Sequence, residues 1–293
     1  MNKNMTALIS CFARYYHTQN SNIKIYNDFF AKDILTEKEI ENISNNMKNG
    51  IKFFNPNYNG DNPLKWIVNN NLAPSVLARS IFNEKHLLNE INLGLKQYII
   101  LASGYDMSGL KVNNKVNVFE LDKKEMIEDK ISRINKSKLN NENITYIKTD
   151  FNDNWIDDLI NSNYSPLEKT FCSMLGISYY LDKEVFNGAI KELSNIIPKG
   201  SIILFDYPNN LETNKEKINQ QLAKGANEEM KSIYSYEDIE KIADDSSMLI
   251  YEHLDYNDIN NTYFYNYNTL NPNDKIIAPM GVSYVVLVKQ QEM

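Results

Sequence analysis

Cysteine is nearly absent. Cys11 and Cys172 are the only two in 293 residues. That is too few for a disulfide framework, and they lack the paired spacing of a zinc motif. Histidine is almost as scarce, with only His17, His86 and His253, so no metal site is expected. Cations are outnumbered, 31 Lys and Arg against 38 Asp and Glu, for a formal charge of −7. Nucleic acid and anionic lipid, which need a basic footprint, are therefore excluded as default partners. No 18-residue apolar run exists to span a membrane. The opening "MNKNMTALISC" resembles the end of a lipoprotein leader. Its apolar stretch is short against a secretory core of roughly 7–15 residues, however, and aromatic and charged sequence follows at once. It reads as the start of a helix, in a cytoplasmic chain. Glycine number is also low, at 10. No G-x-G-x-x-G follows a strand and no Gly-Lys-Ser/Thr occurs, which excludes a P-loop and opposes a dinucleotide site.

What is present is an ordinary globular composition, 42% hydrophobic and 24% charged. A chain of this length buries roughly 75% of its unfolded surface and needs no staple. Residues 5 to 95 carry helical periodicity and no strand. "PLKWIVNNN" and "APSVLARSIFNEKHLLNEINLGL" read as separate helices, with Pro74 in a first turn and Gly94 as a stop. This segment, 1–95, is expected to form a helical cap. The period then changes to short apolar runs at 98–102, 116–121, 144–147, 170–174, 202–205, 248–251 and 284–288. The first five alternate with helical stretches, which implies a parallel sheet with right-handed crossovers over 96–293. A helical segment (209–247) and a tyrosine-rich, loop-like excursion (255–283) are expected to form lids or substrate walls.

Ligands of open α/β sheets sit beyond the carboxyl ends of the strands, so the residues there are informative. After the first run comes "ASGYD", with a single close glycine, Gly104. After the second comes Asp122, 18 positions beyond Gly104, close to the offset of about 20 at which an acid binds ribose hydroxyls. Asp122 also fits a helix cap, with Glu125 as the return partner. After the third come Asp150 and Phe151, an acid and a ring suited to an exocyclic amine and a base. The fifth run ends on Asp206. Acids in place of glycine-rich phosphate contacts point to an adenosine ligand without phosphate, and S-adenosylmethionine fits.

The order "TALISCFARYYH", "ARSIF", "QYIILASGYDMSGL", "VFELDKKEMIEDK", "TDF", "GISYYL" and "GSIILFDY" resembles the leucine carboxyl methyltransferase family. The resemblance is nearest to the bacterial polyketide O-methyltransferase branch and covers roughly residues 5 to 208. It implies a Rossmann-like, seven-stranded, mostly parallel class I methyltransferase sheet. It also implies S-adenosylmethionine as cofactor and a small-molecule methyl acceptor, a carboxylate or hydroxyl. Arg79 matches an arginine that holds the cofactor's α-carboxylate in the family. Gly104 matches the second glycine of "LGAGLDTR", Ala102 replaces the first, and Asp106 is retained. Asp122 matches the ribose acid, and Asp150 with Phe151 the pair at adenine. Two departures stand out. Leu175-Gly176 replaces Glu-Gly, and Met107-Ser108 replaces Thr-Arg.

For catalysis His17 is the candidate base, with His253 weaker, and Tyr180 beside Tyr179 is a candidate wall of the acceptor site. An ionised carboxylate acceptor needs no base, whereas a phenol near pKa 10 benefits from one. Alternatives are a non-catalytic cofactor-binding protein, motivated by Leu175, and a methyltransferase acting on a protein C-terminus. A nicotinamide oxidoreductase is opposed by the missing glycines and by the lack of Tyr-x-x-x-Lys near the fourth run.

Overall fold

Each of the seven apolar runs forms a strand. In the computed structural model, which describes residues 4–209, 214–225 and 228–290, these are β1 (Gln97–Leu101), β2 (Asn117–Asp122), β3 (Ile144–Lys148) and β4 (Thr170–Met174). β5 (Ile202–Pro208), β6 (Met248–Leu254) and β7 (Val282–Lys289) complete the set. They build one sheet in the order β3-β2-β1-β4-β5-β7-β6. β1 to β5 pair in parallel, and β7 inserts antiparallel between β5 and β6. The strand order reverses between β1 and β4, which opens a crevice at their carboxyl ends.

Both faces of the sheet are covered, and the strands show why. Successive residues point to opposite faces. Tyr98, Ile100 and Val118 join one core with Leu8, Phe12 and Leu77 of the N-terminal helices. Ile99, Leu101 and Phe119 join a second with Phe186, Ile190 and Ile242. The N-terminal helices are thus a layer sharing a core with the sheet. Strands buried on both faces read as continuous apolar runs, which made them visible in sequence.

Two expectations require correction. "PLKWIVNNN" and "APSVLARSIF" are one helical run: helix Pro63–Ile67 passes through a π turn, Val68–Leu72, into helix Ala73–Asn92. Pro74 cannot donate to the carbonyl four residues back and its ring would clash there. The widened turn just before it absorbs that mismatch instead of ending the helix. The excursion 255–283 is also largely helical in its first half, with Tyr256–Ile259, a π turn Asn260–Phe264 and Tyr265–Leu270. Asp255 caps it, accepting from the amides of Asn257 and Asp258, while Asp258 accepts from the Asp255 amide. Within 209–247 the helices are Asn214–Gly225 and Tyr236–Asp245; residues 210–213 and 226–227 lie outside the described residues. Helix Met5–Asn20 contains the buried Cys11. Among the described residues no helix is long and apolar enough to cross a membrane.

Candidate active site

A cavity of 730 Å³ lies at the carboxyl ends of β1 to β4. Its floor is the turn Ala102–Asp106 after β1, and its sides are Asp122, Asp150 with Phe151, and Leu175 with Gly176. Arg79 and Ser10 close it from the N-terminal layer. The cavity therefore brings together Arg79, Ala102, Gly104, Asp106, Asp122, Asp150, Phe151 and Tyr180. The topology does this because each residue follows a strand of the same crevice or sits on the helix packed over it.

The turn after β1 is held by charge. Gly104 has φ +45° and its N–H donates to Asp122 Oδ2 at 2.8 Å. The carbonyl of Tyr105 accepts from Arg14 at 2.5 Å and that of Asp106 from Lys130 at 2.6 Å, both cations being buried. Lys130 in turn stands 2.5 Å from the buried Glu120 on β2. Removing either member of such a pair strands a buried charge, at a cost of about 3–5 kcal/mol. Ala102, a non-glycine residue, has φ +51°. Asp106 Oδ1 accepts from the Ser108 amide at 2.7 Å.

Asp122 is the last residue of β2, and its second oxygen accepts from the Lys123 amide at 2.7 Å. The helix that follows, Lys124–Lys136, has Lys123 at its N-cap and no side-chain cap. The capping pair Asp122 and Glu125 expected from sequence is not formed, because β2 extends through Asp122 and the Gly104 amide takes its carboxylate. Burial raises the Asp122 carboxyl pKa, and the Gly104 and Lys123 amides oppose that shift. Asp150 accepts from Asn152 through both the backbone amide and the side chain, at 3.0 and 2.7 Å, which lowers its pKa. Phe151 stands edge-on to Trp155, centroids 5.5 Å apart.

At the other end of the cavity Arg79 Nη2 donates to Ser10 Oγ at 3.4 Å, and Nη1 stands 3.8 Å from Asp206 Oδ2. Asp206, fully buried on β5, also accepts from the Gly176 amide at 2.6 Å and from the Tyr179 hydroxyl at 3.2 Å. It positions the arginine, the turn after β4 and a tyrosine together. In the sequence the one signal for Asp206 is its position at the end of the fifth apolar run. Leu175 lines the cavity with an aliphatic side chain.

His17 is elsewhere. Its ring is 1% exposed, Nε2 accepts from the Ile25 amide at 2.9 Å, and Nδ1 is 3.1 Å from Ser21 Oγ. It does not line the cavity, and burial lowers its pKa to about 4. The expectation of His17 as base is therefore corrected: the ring ties the end of helix Met5–Asn20 to the next segment. His253 is likewise spent on the Tyr207 hydroxyl, at 2.7 Å.

The donor set fits S-adenosylmethionine. A carboxylate at the end of β2 suits a ribose diol, an acid with an adjoining ring suits adenine, and a guanidinium suits a carboxylate. The loop beneath offers no glycine-rich cradle for phosphate. The sequence profile of the leucine carboxyl methyltransferase family matches residues 7–194. The chain belongs to the leucine carboxyl methyltransferase family. It is an S-adenosylmethionine-dependent methyltransferase. YktD of Bacillus subtilis (strain 168), provisionally named an S-adenosyl-L-methionine-dependent methyltransferase, is 36% identical over 98% of each chain. The fold is shared with a crystal structure of a duf574 family protein from Streptomyces avermitilis. That match has TM-score 0.60 and 11% identity, covering 96% of this chain and 97% of the other. A methyltransferase, provisionally so named, from Thermobifida fusca matches with TM-score 0.52 and 14% identity over 74% of this chain and 84% of its own.

Proposed function

We propose that this family member methylates the carboxylate of a small, mostly apolar acid. The observation that carries the proposal is a second cavity of 420 Å³, which shares Thr6, Ser10, Arg79, Gly176 and Tyr180 with the first. Its walls are mostly aliphatic, including Ile9, Leu72, Val76, Met230 and Val282. Among the described residues that line it there is no Asp, Glu, His or Lys. Its volume is that of a small-molecule pocket. With no Asp, Glu, His or Lys among the described residues of that wall, the acceptor we favour is one already ionised at neutral pH.

When bound, S-adenosylmethionine supplies a methyl group made electrophilic by its sulfonium. This chain's residues then bind and orient. Asp122 holds the ribose, Asp150 and Phe151 the adenine, and Arg79, backed by Asp206 and Ser10, the α-carboxylate. Ala102, Gly104 and Asp106 shape the floor. Burial pushes the Tyr180 hydroxyl up to about 12, so it stays protonated at neutral pH and donates to an acceptor oxygen at the junction. Fixing two reactants in attack geometry supplies roughly 7–11 kcal/mol, which suffices without proton transfer.

The test is calorimetry with S-adenosylhomocysteine followed by methyl transfer to panels of aliphatic acids and phenols. Asp122→Ala should abolish most cofactor affinity and Asp122→Asn should weaken it less. Unchanged affinity in Asp122→Ala removes the ribose assignment. Transfer to phenols and not to acids removes the carboxylate assignment.

A further inference from the structure

Helix Met5–Asn20 runs along the boundary between the two cavities. At about 100° per residue, the order around its circumference is Met5, Ile9, Thr6, Ser10, Ala7. Met5 and Ile9 line only the apolar cavity, Thr6 and Ser10 line both, and Ala7 lines only the larger one. Side-chain positions give the same orientation. Ser10 Oγ meets Arg79 Nη2, and a Cβ built on Gly104 would stand 3.5 Å from the Ala7 Cβ. Thr6 therefore lies on the boundary, one helical turn from Ser10.

The other residues that line both cavities already have partners or roles. Ser10 and Arg79 meet each other, the Gly176 amide donates to Asp206, and Tyr180 is assigned above. Thr6 has no such commitment. Its Oγ1 makes no hydrogen bond among the described residues, and it is not shut off from solvent as Ser103 Oγ is. An unpaired hydroxyl open to a cavity keeps its O–H for a ligand. The remaining polar residues of the apolar cavity, Asn71, Ser75, Tyr179 and Gln221, do not line the larger one.

We propose that Thr6 positions the acceptor for methyl transfer, its hydroxyl donating to one oxygen of the acceptor carboxylate. This rests on the carboxylate reading above and deepens it. The oxygen bonded by Thr6 is the one that is not methylated. Held there, the carboxylate turns a lone pair of its other oxygen across the boundary. That oxygen forms the O–C bond as the S–C bond breaks onto sulfur, and no proton is transferred. Thr6 and Tyr180 stand on different elements, so two donors fix the plane of the carboxylate. A hydrogen bond to a charged acceptor is about twice as strong as a neutral one, so an acid gains more from Thr6 than its amide does.

Calorimetry on protein saturated with S-adenosylhomocysteine tests this, with octanoate, 4-phenylbutyrate and their primary amides as probes. The wild type should bind at least one acid more tightly than its amide. Thr6→Val keeps the shape and removes the hydroxyl. It should weaken that acid about 10–100-fold and the amide by a smaller factor. Thr6→Ser should restore acid binding, and S-adenosylhomocysteine affinity should hold in both variants; Thr6→Ala serves if the valine variant does not fold. Unchanged acid affinity in Thr6→Val overturns the proposal and leaves the carboxylate reading standing. So does an equal loss for acid and amide, a serine variant as weak as the valine one, or a parallel loss of S-adenosylhomocysteine affinity. A wild type that binds neither acid more tightly than its amide overturns the carboxylate reading and this inference together. Failure of S-adenosylhomocysteine to bind the wild type counts against the cofactor site and overturns both as well.

Discussion

At the scale of single residues, Ala102 is the sharpest departure. An L-residue in the left-handed region costs roughly 1–2 kcal/mol that glycine does not incur, partly offset by glycine's larger unfolded-state entropy. Ala102→Gly should therefore stabilise the protein by about 0.5–1 kcal/mol, read as a rise of about 1–3 °C in the thermal midpoint. A fall in the midpoint would show that the alanine methyl packs better than its φ suggests. The same scale shows how far the site could be read in advance. Gly104, Asp122, Asp150 and Phe151 line one cavity because they follow strands, and strand ends are legible wherever apolar runs stop. The partners of Asp122 were not legible. Its spacing to Glu125 fits a cap equally well, and only the approach of Gly104, 18 residues earlier, decides between the two.

At the scale of elements, the turn after β4 is the most constrained. Gly176 has φ +70°, and a Cβ there would stand 2.4 Å from Arg79 Nη1. Gly176→Ala should displace the guanidinium and so disturb the hold on the cofactor's α-carboxylate proposed for Arg79. S-adenosylhomocysteine affinity should fall roughly tenfold to a hundredfold by calorimetry. Gly188→Ala, at an open position in helix Lys183–Ile196 with no atom within 4 Å, is the control and should leave affinity unchanged. Element type was mostly legible here, while continuity was not. The helix after Asp255 is rich in Asn and Tyr, which are weak helix formers, so its periodicity is faint. Yet Asp255 and Asp258 stood at capping-box spacing in the sequence. The π turn before Pro74 left no sequence signal beyond the proline, which looks the same starting a helix as it does behind a widened turn.

At the scale of the whole molecule, His17 links the N-terminal layer to pH. Its pKa is lowered from 6.5 to about 4 by burial, so the unfolded chain binds the proton more tightly and acid favours unfolding. The contribution is complete above pH 6.5 and is lost as pH falls toward 4. It amounts to on the order of 3 kcal/mol, of which about 2 kcal/mol disappears between pH 7 and pH 5. Urea unfolding at those two pH values should show that loss, and His17→Gln should flatten it. An equal slope in the variant would assign the acid sensitivity to other groups. The sequence by itself determined the seven strands, the parallel crossovers and the acids at the crevice, because burial on both faces and strand-end position are written in local apolar pattern. Only the tertiary structure decided which polar groups were already satisfied. It spent His17 on a backbone amide and set Asp206 behind Arg79. Hydrogen-bond satisfaction depends on partners tens of residues away, and no local pattern encodes it.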